Sequence, residues 1–156
     1  MRKAIIILTG ISEGKTRFIN TIKDNGYWTW NVSHMNFLSS QTHKLFWDGT
    51  RDEKYYEFIK KFESLVDEYF DLPWMYVEKY IKKLRESEKA RVVIVHGIDG
   101  DISRALLGKY NNCYDVHILN HDGESDHYRS FNYESETYDE DVLEFMKELT
   151  EEKEIE

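Results

Sequence analysis

The sequence predicts an α/β fold, a three-layer sandwich in which a parallel sheet of about five strands is flanked by helices. Three observations predict it. Residues 4–8 (Ala-Ile-Ile-Ile-Leu) and 92–95 (Val-Val-Ile-Val) are unbroken apolar runs, the composition of strands buried on both faces. Segments with apolar residues at helical spacing separate the runs, and strands alternating with helices imply one parallel sheet with right-handed crossovers. The chain opens on a strand, a glycine-containing loop, Gly14-Lys15-Thr16 and then a helix.

After the first strand, Phe18, Ile19 and Ile22 recur at helical spacing, so a helix is expected from Lys15 to about residue 24, closed by Asn25-Gly26. Residues 27–33 alternate and are rich in aromatic and β-branched side chains, the pattern of a second strand. Ser33 then caps an expected helix at 34–46, with Met35, Leu38, Leu45 and Phe46 on its inner face. Residues 47–50 form a turn. Tyr55, Phe58, Ile59, Phe62, Leu65, Val66, Tyr69 and Phe70 follow helical spacing, which predicts a helix over 51–70. Pro73 opens the next helix, where a missing N–H costs nothing, and Trp74, Val77, Ile81 and Leu84 mark its inner face.

The strand at 92–95 leads into a loop at 96–101 and a short helix at 103–109. Residues 114–119 read as a strand, 121–129 as a polar segment, 131–133 as a short fifth strand and 138–149 as the last helix. The last six residues are an acidic tail. Ligands of such sheets bind beyond the carboxyl ends of the strands, so the loops at 9–16, 33–34, 96–101 and 120–127 should converge on one cleft.

The first of these loops has the context of a phosphate site. Loop N–H groups from Gly10, Ile11, Ser12, Glu13 and Gly14 would hold phosphate oxygens, and the helix start adds partial positive charge. Lys15 would reach the terminal phosphates, the Thr16 hydroxyl would ligate Mg²⁺, and Arg17 follows directly. The pattern G-x-x-x-x-G-K-[ST] places its first glycine at Thr9, so Gly10 stands one place late, and Glu13 puts a carboxylate beside the phosphates. A plain strand-to-helix turn with Gly14 as a tight corner is the structural alternative.

Composition narrows the partners. A net charge of −9 argues against nucleic-acid polymers, which need a basic face. The single cysteine, Cys113, allows no internal disulfide, fits a reducing cytoplasm and reads as a small apolar residue at a strand edge. The N-terminal apolar run is too short for a signal peptide core or a membrane span, so no membrane partner is expected. Aromatic residues make up 15% of the chain, enough for a base-stacking pocket, although most rings are expected in the core. His121, Asp122, Asp126 and His127 follow no zinc spacing.

The order of the pieces resembles the phage-type deoxynucleoside monophosphate kinases of the P-loop kinase superfamily. The likeness rests on the Gly14-Lys15-Thr16 loop, on Leu45-Phe46-Trp47-Asp48-Gly49 before a charged helix, on Asp71-Leu72-Pro73-Trp74-Met75 and on Ser125-Asp126-His127 before the last strand and helix. It implies one kinase-like domain over residues 1–150 with helical acceptor and lid insertions at about 34–88. It also implies Mg²⁺ as cofactor, ATP and a (deoxy)nucleoside monophosphate as ligands, and a cytoplasmic location, that of a host cell if the gene is carried by a phage. The family carries Asp-Val-Arg at the end of its third strand, whereas this chain reads His96-Gly97-Ile98-Asp99.

Phosphoryl transfer needs positioning and charge cancellation. The expected catalytic residues are Lys15, Arg104 as a displaced guanidinium and Arg129 as a closing residue over the site. Thr16 with Asp99 or Asp101 forms the expected metal site. His34, Trp30 and Trp47 are the expected acceptor side, where a base would stack. His96 is a candidate neutral donor to a phosphate, or a satisfied histidine at a strand end. The departures at Thr9, Glu13 and His96–Asp99 favour a second reading, a nucleotide-binding module that has lost transfer and acts through another protein. A kinase for another small acceptor is a third. The aromatic helix at 51–70 has either a core face or a homodimer face.

Overall fold

The computed structural model describes residues 2–33, 38, 41, 42, 44, 50–69, 74–98, 100–123 and 126–151, together with the backbone of Leu72 and Pro73. Five strands are present: β1 (Ala4–Gly10), β2 (Thr29–Ser33), β3 (Val92–His96), β4 (Cys113–Leu119) and β5 (Arg129–Asn132). They form one sheet of order β2-β3-β1-β4-β5, and every neighbouring pair is parallel. The helices are α1 (Ser12–Asp24), α2 (Glu53–Tyr69), α3 (Leu72–Glu86), α4 (Gly100–Lys109) and α5 (Tyr138–Thr150). The expected three-layer α/β architecture is therefore the one observed.

The two unbroken apolar runs lie side by side at the centre, Ala4 against Val92 through Ile7 against Val95. Alternate residues point to opposite faces. Ala4, Ile6 and Leu8 pack with Phe18 and Ile22 of α1 and with Val142, Phe145 and Met146 of α5. Ile5 and Ile7 pack with Val77, Ile81 and Leu84 of α3 and Leu106 of α4. The crossover from β1 to β2 runs over the α1 face. Those from β2 to β3 and from β3 to β4 move the other way across the sheet and run over the opposite face, as right-handedness requires.

Several boundaries differ from expectation. The first helix begins at Ser12 rather than Lys15, the second strand at Thr29 rather than residue 27, α4 at Gly100 rather than residue 103, and the last strand at Arg129 rather than Phe131. The expected inner face of α2 is only partly buried. Tyr55 and Ile59 are buried against Leu38 with Phe58 and Phe62 beside them, but Leu65 is 56% and Tyr69 70% exposed. The apolar stripe of α2 outlasts the surface it packs on. Of the helix expected at 34–46, Leu38, Gln41, Thr42 and Lys44 are described and are helical, and the Thr42 hydroxyl donates to Leu38 O at 2.9 Å. Phe70 and the acidic tail after Glu151 lie outside the described residues.

Candidate functional site

In the sheet order, β1 and β4 are neighbours, yet the chain leaves β1 toward one edge and β4 toward the other. Such a switch point opens a crevice at the carboxyl ends of the two strands. The start of α1 stands there.

The connection from β1 to α1 is one residue long. β1 runs through Gly10, Ile11 is the N-cap, and Ser12 is already helical. Gly10 makes this turn possible: its φ is +114°, and a Cβ there would stand 2.2 Å from Ile118 O. Gly14 is buried in the first turn, where a Cβ would fall 2.3 Å from Ile118 Cγ2 and 2.9 Å from Tyr133 Cδ1. Both glycines thus press α1 onto the end of β4. Only three residues separate them, one fewer than the phosphate-loop spacing. The wide loop expected at 9–16 is replaced by a helix N-terminus, because a chain this short turns directly into helix.

That N-terminus has no side-chain cap. Ile11 N–H donates to Ile118 O at 3.2 Å, and Lys15 N–H makes the first helical bond, to Ile11 O at 2.9 Å. The N–H groups of Ser12, Glu13 and Gly14 have no partner within the helix. Lys15 is half-buried beside them. Across the crevice, His96 ends β3, in register with buried Ser33 of β2. Burial, and then the nearby Lys15 ammonium, hold the His96 imidazole below its usual pKa, so it is neutral at pH 7. Its Nε2 is buried with no hydrogen-bond partner among the described residues. An uncapped helix start, an ammonium and an unsatisfied imidazole nitrogen together suit an anion.

The other expected site residues are placed as follows. The Thr16 hydroxyl donates back to Ser12 O at 3.2 Å and is exposed. Arg17 turns away from the crevice. It donates to Tyr133 O, approaches Asp139 at 3.5 Å and lies 4.6 Å over the Tyr138 ring. Arg104 pairs with Asp101, one helical turn earlier on α4, and both are exposed. Arg129 does not close over the crevice. Its guanidinium pairs with Glu148 at 3.3 Å in the last turn of α5, whose end is held by Arg2 beside the amino end of β1. Trp30 lies low on β2, edge-on to Tyr80 of α3 at 6.1 Å, and packs in the core layer rather than the crevice. His34, Trp47 and Asp99 lie outside the described residues.

For Mg²⁺, the described residues of the crevice offer the exposed Thr16 hydroxyl, with the Glu13 carboxylate and the Ser12 hydroxyl in the same turn of α1. Asp101 is engaged by Arg104, and no group of three metal-ligating side chains occurs among the described residues.

Residues that sequence reasoning missed border the same crevice. Tyr133, just after β5, packs on Gly14 and brings its hydroxyl to 3.5 Å from Glu13. Beyond it, a cavity of about 170 Å³ opens among His121, Asp122, Ser130, Asn132, Ser135, Tyr138 and Asp141. His121 and Asp122 belong to the loop expected at the cleft; the others carry no signal in their spacing, because they meet only through the pairing of β4 with β5 and the start of α5. Thr9, which stands where the pattern has glycine, bonds His117 Nδ1 at 2.8 Å.

Among the described residues no helix is long and apolar enough to cross a membrane. In comparisons with known proteins, no family model and no curated protein matches the chain.

Proposed function

We propose that this protein binds the phosphates of a nucleotide, ATP first among candidates, in the manner of the P-loop kinases its order of pieces resembles. The observation that carries the reading is the uncapped start of α1 at the switch point. It presents the N–H groups of Ser12, Glu13 and Gly14 beside Lys15 and the unsatisfied His96 nitrogen. A helix start usually has a Ser, Thr, Asp or Asn cap, and Ile11 supplies none, which leaves its donors for a ligand. The cavity beyond Tyr133 provides room on the β4–β5 side for part of the nucleoside.

Binding without transfer is the better supported form. The three arginines nearest in sequence to the expected site are paired with Asp139, Asp101 and Glu148. Such a module would act through contact with another protein. Transfer from Mg·ATP to a deoxynucleoside monophosphate is the second reading. What favours it is that Gly14-Lys15-Thr16 stands whole at the switch point with the Thr16 side exposed.

The test is purified protein with Mg·ATP and each common deoxynucleoside monophosphate in turn, scoring ADP and diphosphate, with Lys15→Ala as control. Thermal unfolding is read on the same samples. ATP at about 100 times its Kd stabilises by about 2.7 kcal/mol, on the order of 5–10 °C for a domain of this size. A shift lost in Lys15→Ala without product supports the module. Product lost in Lys15→Ala supports the kinase. Neither shift nor product overturns both.

A further inference from the structure

A second cluster of titratable groups lies on the opposite face of the sheet, and the nucleotide reading makes no use of it. His117 of β4 and His127, just before β5, stack with ring centroids 4.5 Å apart and planes 5° from parallel. Each ring is anchored through Nδ1. His117 bonds Thr9 Oγ1 of β1 at 2.8 Å, and His127 bonds Asp115 Oδ1 of β4 at 2.8 Å. Both His127 and Asp115 are more than two-thirds buried. The stack therefore joins β1, β4 and the residues leading into β5, a four-residue edge strand paired with β4 alone.

We infer that the His117–His127 stack is an acid-sensitive clasp: it holds residues 126–128 and β5 on β4, and it loosens when both rings carry a proton. One imidazolium is accommodated, since the Asp115 carboxylate lies against His127. A second is not, since two like charges would then face each other across the stack with one carboxylate between them. Among the described residues the other charges nearby are engaged or exposed. On α4, Asp101 is taken by Arg104, and Lys109 by Glu78 of α3; on β5, Arg129 is taken by Glu148. Asp126 is exposed, and the buried Cys113 thiol is pushed up to about 12 by burial and by Asp115, so it stays neutral. Burial, then His127, hold His117 below its usual value, with Asp115 pulling the other way. The sign follows: the clasp is whole above about pH 6.5 and is lost as pH falls through the lower folded-state value of His117.

Hydrogen exchange on the full chain at pH 7.5 and pH 5, corrected for intrinsic rates, tests this. Protection of residues 126–132 should fall about tenfold or more on acidification while that of α3 holds. His117→Asn, whose amide keeps a bond to Thr9 but takes no proton, should abolish the response. Equal protection at both pH values, a loss spread evenly over the molecule, or a response that survives in His117→Asn would each overturn the clasp. If that variant does not fold, the ring titrations of the wild-type protein decide. A His117 titration below the ordinary imidazole range supports the clasp, and an ordinary one overturns it.

Discussion

Gly10 and Gly14 invite reading as phosphate-loop glycines, although Gly10 stands one place late for the pattern, yet each has a packing reason to be glycine without a ligand. Gly14→Ala gains up to about 1 kcal/mol of helix propensity. A Cβ 2.3 Å from Ile118 Cγ2 costs more, on the order of 1–3 kcal/mol as overpacking. The expected result is a net loss in urea unfolding of the ligand-free protein; unchanged or raised stability would show that the turn adapts freely. Gly10→Ala should be worse, because the clash is with the Ile118 carbonyl of the sheet and φ is positive. Its loss of stability should exceed that of Gly14→Ala in the same titration. Lys15→Ala touches neither contact and should stay within about 0.5 kcal/mol of wild type. The three variants separate the fold's need for this stretch from the ligand's.

At the scale of elements, burial follows neighbours rather than periodicity. Ile59 and Leu65 occupy the same apolar stripe of α2, but Ile59 is 2% and Leu65 56% exposed. Ile59→Ala should cost about 2–4 kcal/mol, whereas Leu65→Ala should move the urea midpoint hardly at all. A cost for Leu65→Ala comparable to that for Ile59→Ala would contradict the observed packing. The same contrast explains what was legible in the sequence. Residues 4–8 and 92–95 announce themselves because central strands are apolar on both faces, a local property. The reach of Arg129 to Glu148, or of Lys3 to the terminal carbonyls of α3 at Leu84, Arg85 and Ser87, depends on which ends the topology brings together, and no local pattern reports that. Lys3 satisfies carbonyls that the end of a helix leaves open. Lys3→Met should therefore loosen the last turn of α3, read as faster hydrogen exchange at residues 84–90 with β1 unaffected. At the candidate site the glycines and Lys15 could be read from spacing. Tyr133 could not, and neither could the pairing of Thr9 with His117 on the opposite face, since each acts across a strand pair.

For the whole molecule, Glu78 and His96 act with the His117 clasp to set the direction of the acid limb of stability. Burial disfavours the Glu78 carboxylate, but hydrogen bonds from Lys109 and Tyr110 and the charges of Lys109 and Arg85 outweigh it and lower its pKa. Burial first, then Lys15, lower that of His96. In both cases the unfolded chain binds protons more readily, so stability rises with pH. The His96 contribution is complete above about pH 6.5 and is lost as pH falls through its folded value; the Glu78 contribution is complete above about pH 4.5 and is lost below it. Urea midpoints measured from pH 3.5 to 7.5 should climb in two stages. His96→Gln should shrink the upper stage, leaving the His117 part, and Glu78→Gln should flatten the lower. A curve unchanged by either substitution would refute these assignments.

The position of β1 between β3 and β4 also governs how the protein comes into being. Ile5 is made early, but its neighbours Val93 and Cys113 come from the second half of the chain. A nascent chain on the ribosome therefore carries its most apolar stretch with no partner until the strands of Val93 and Cys113 have also been made. Loop closure over such distances makes folding slow, and the unpaired Ile-rich segment is open meanwhile to strands of other molecules. Expression at lower temperature or with chaperones should raise the soluble yield for that reason, independently of how stable the finished sheet is.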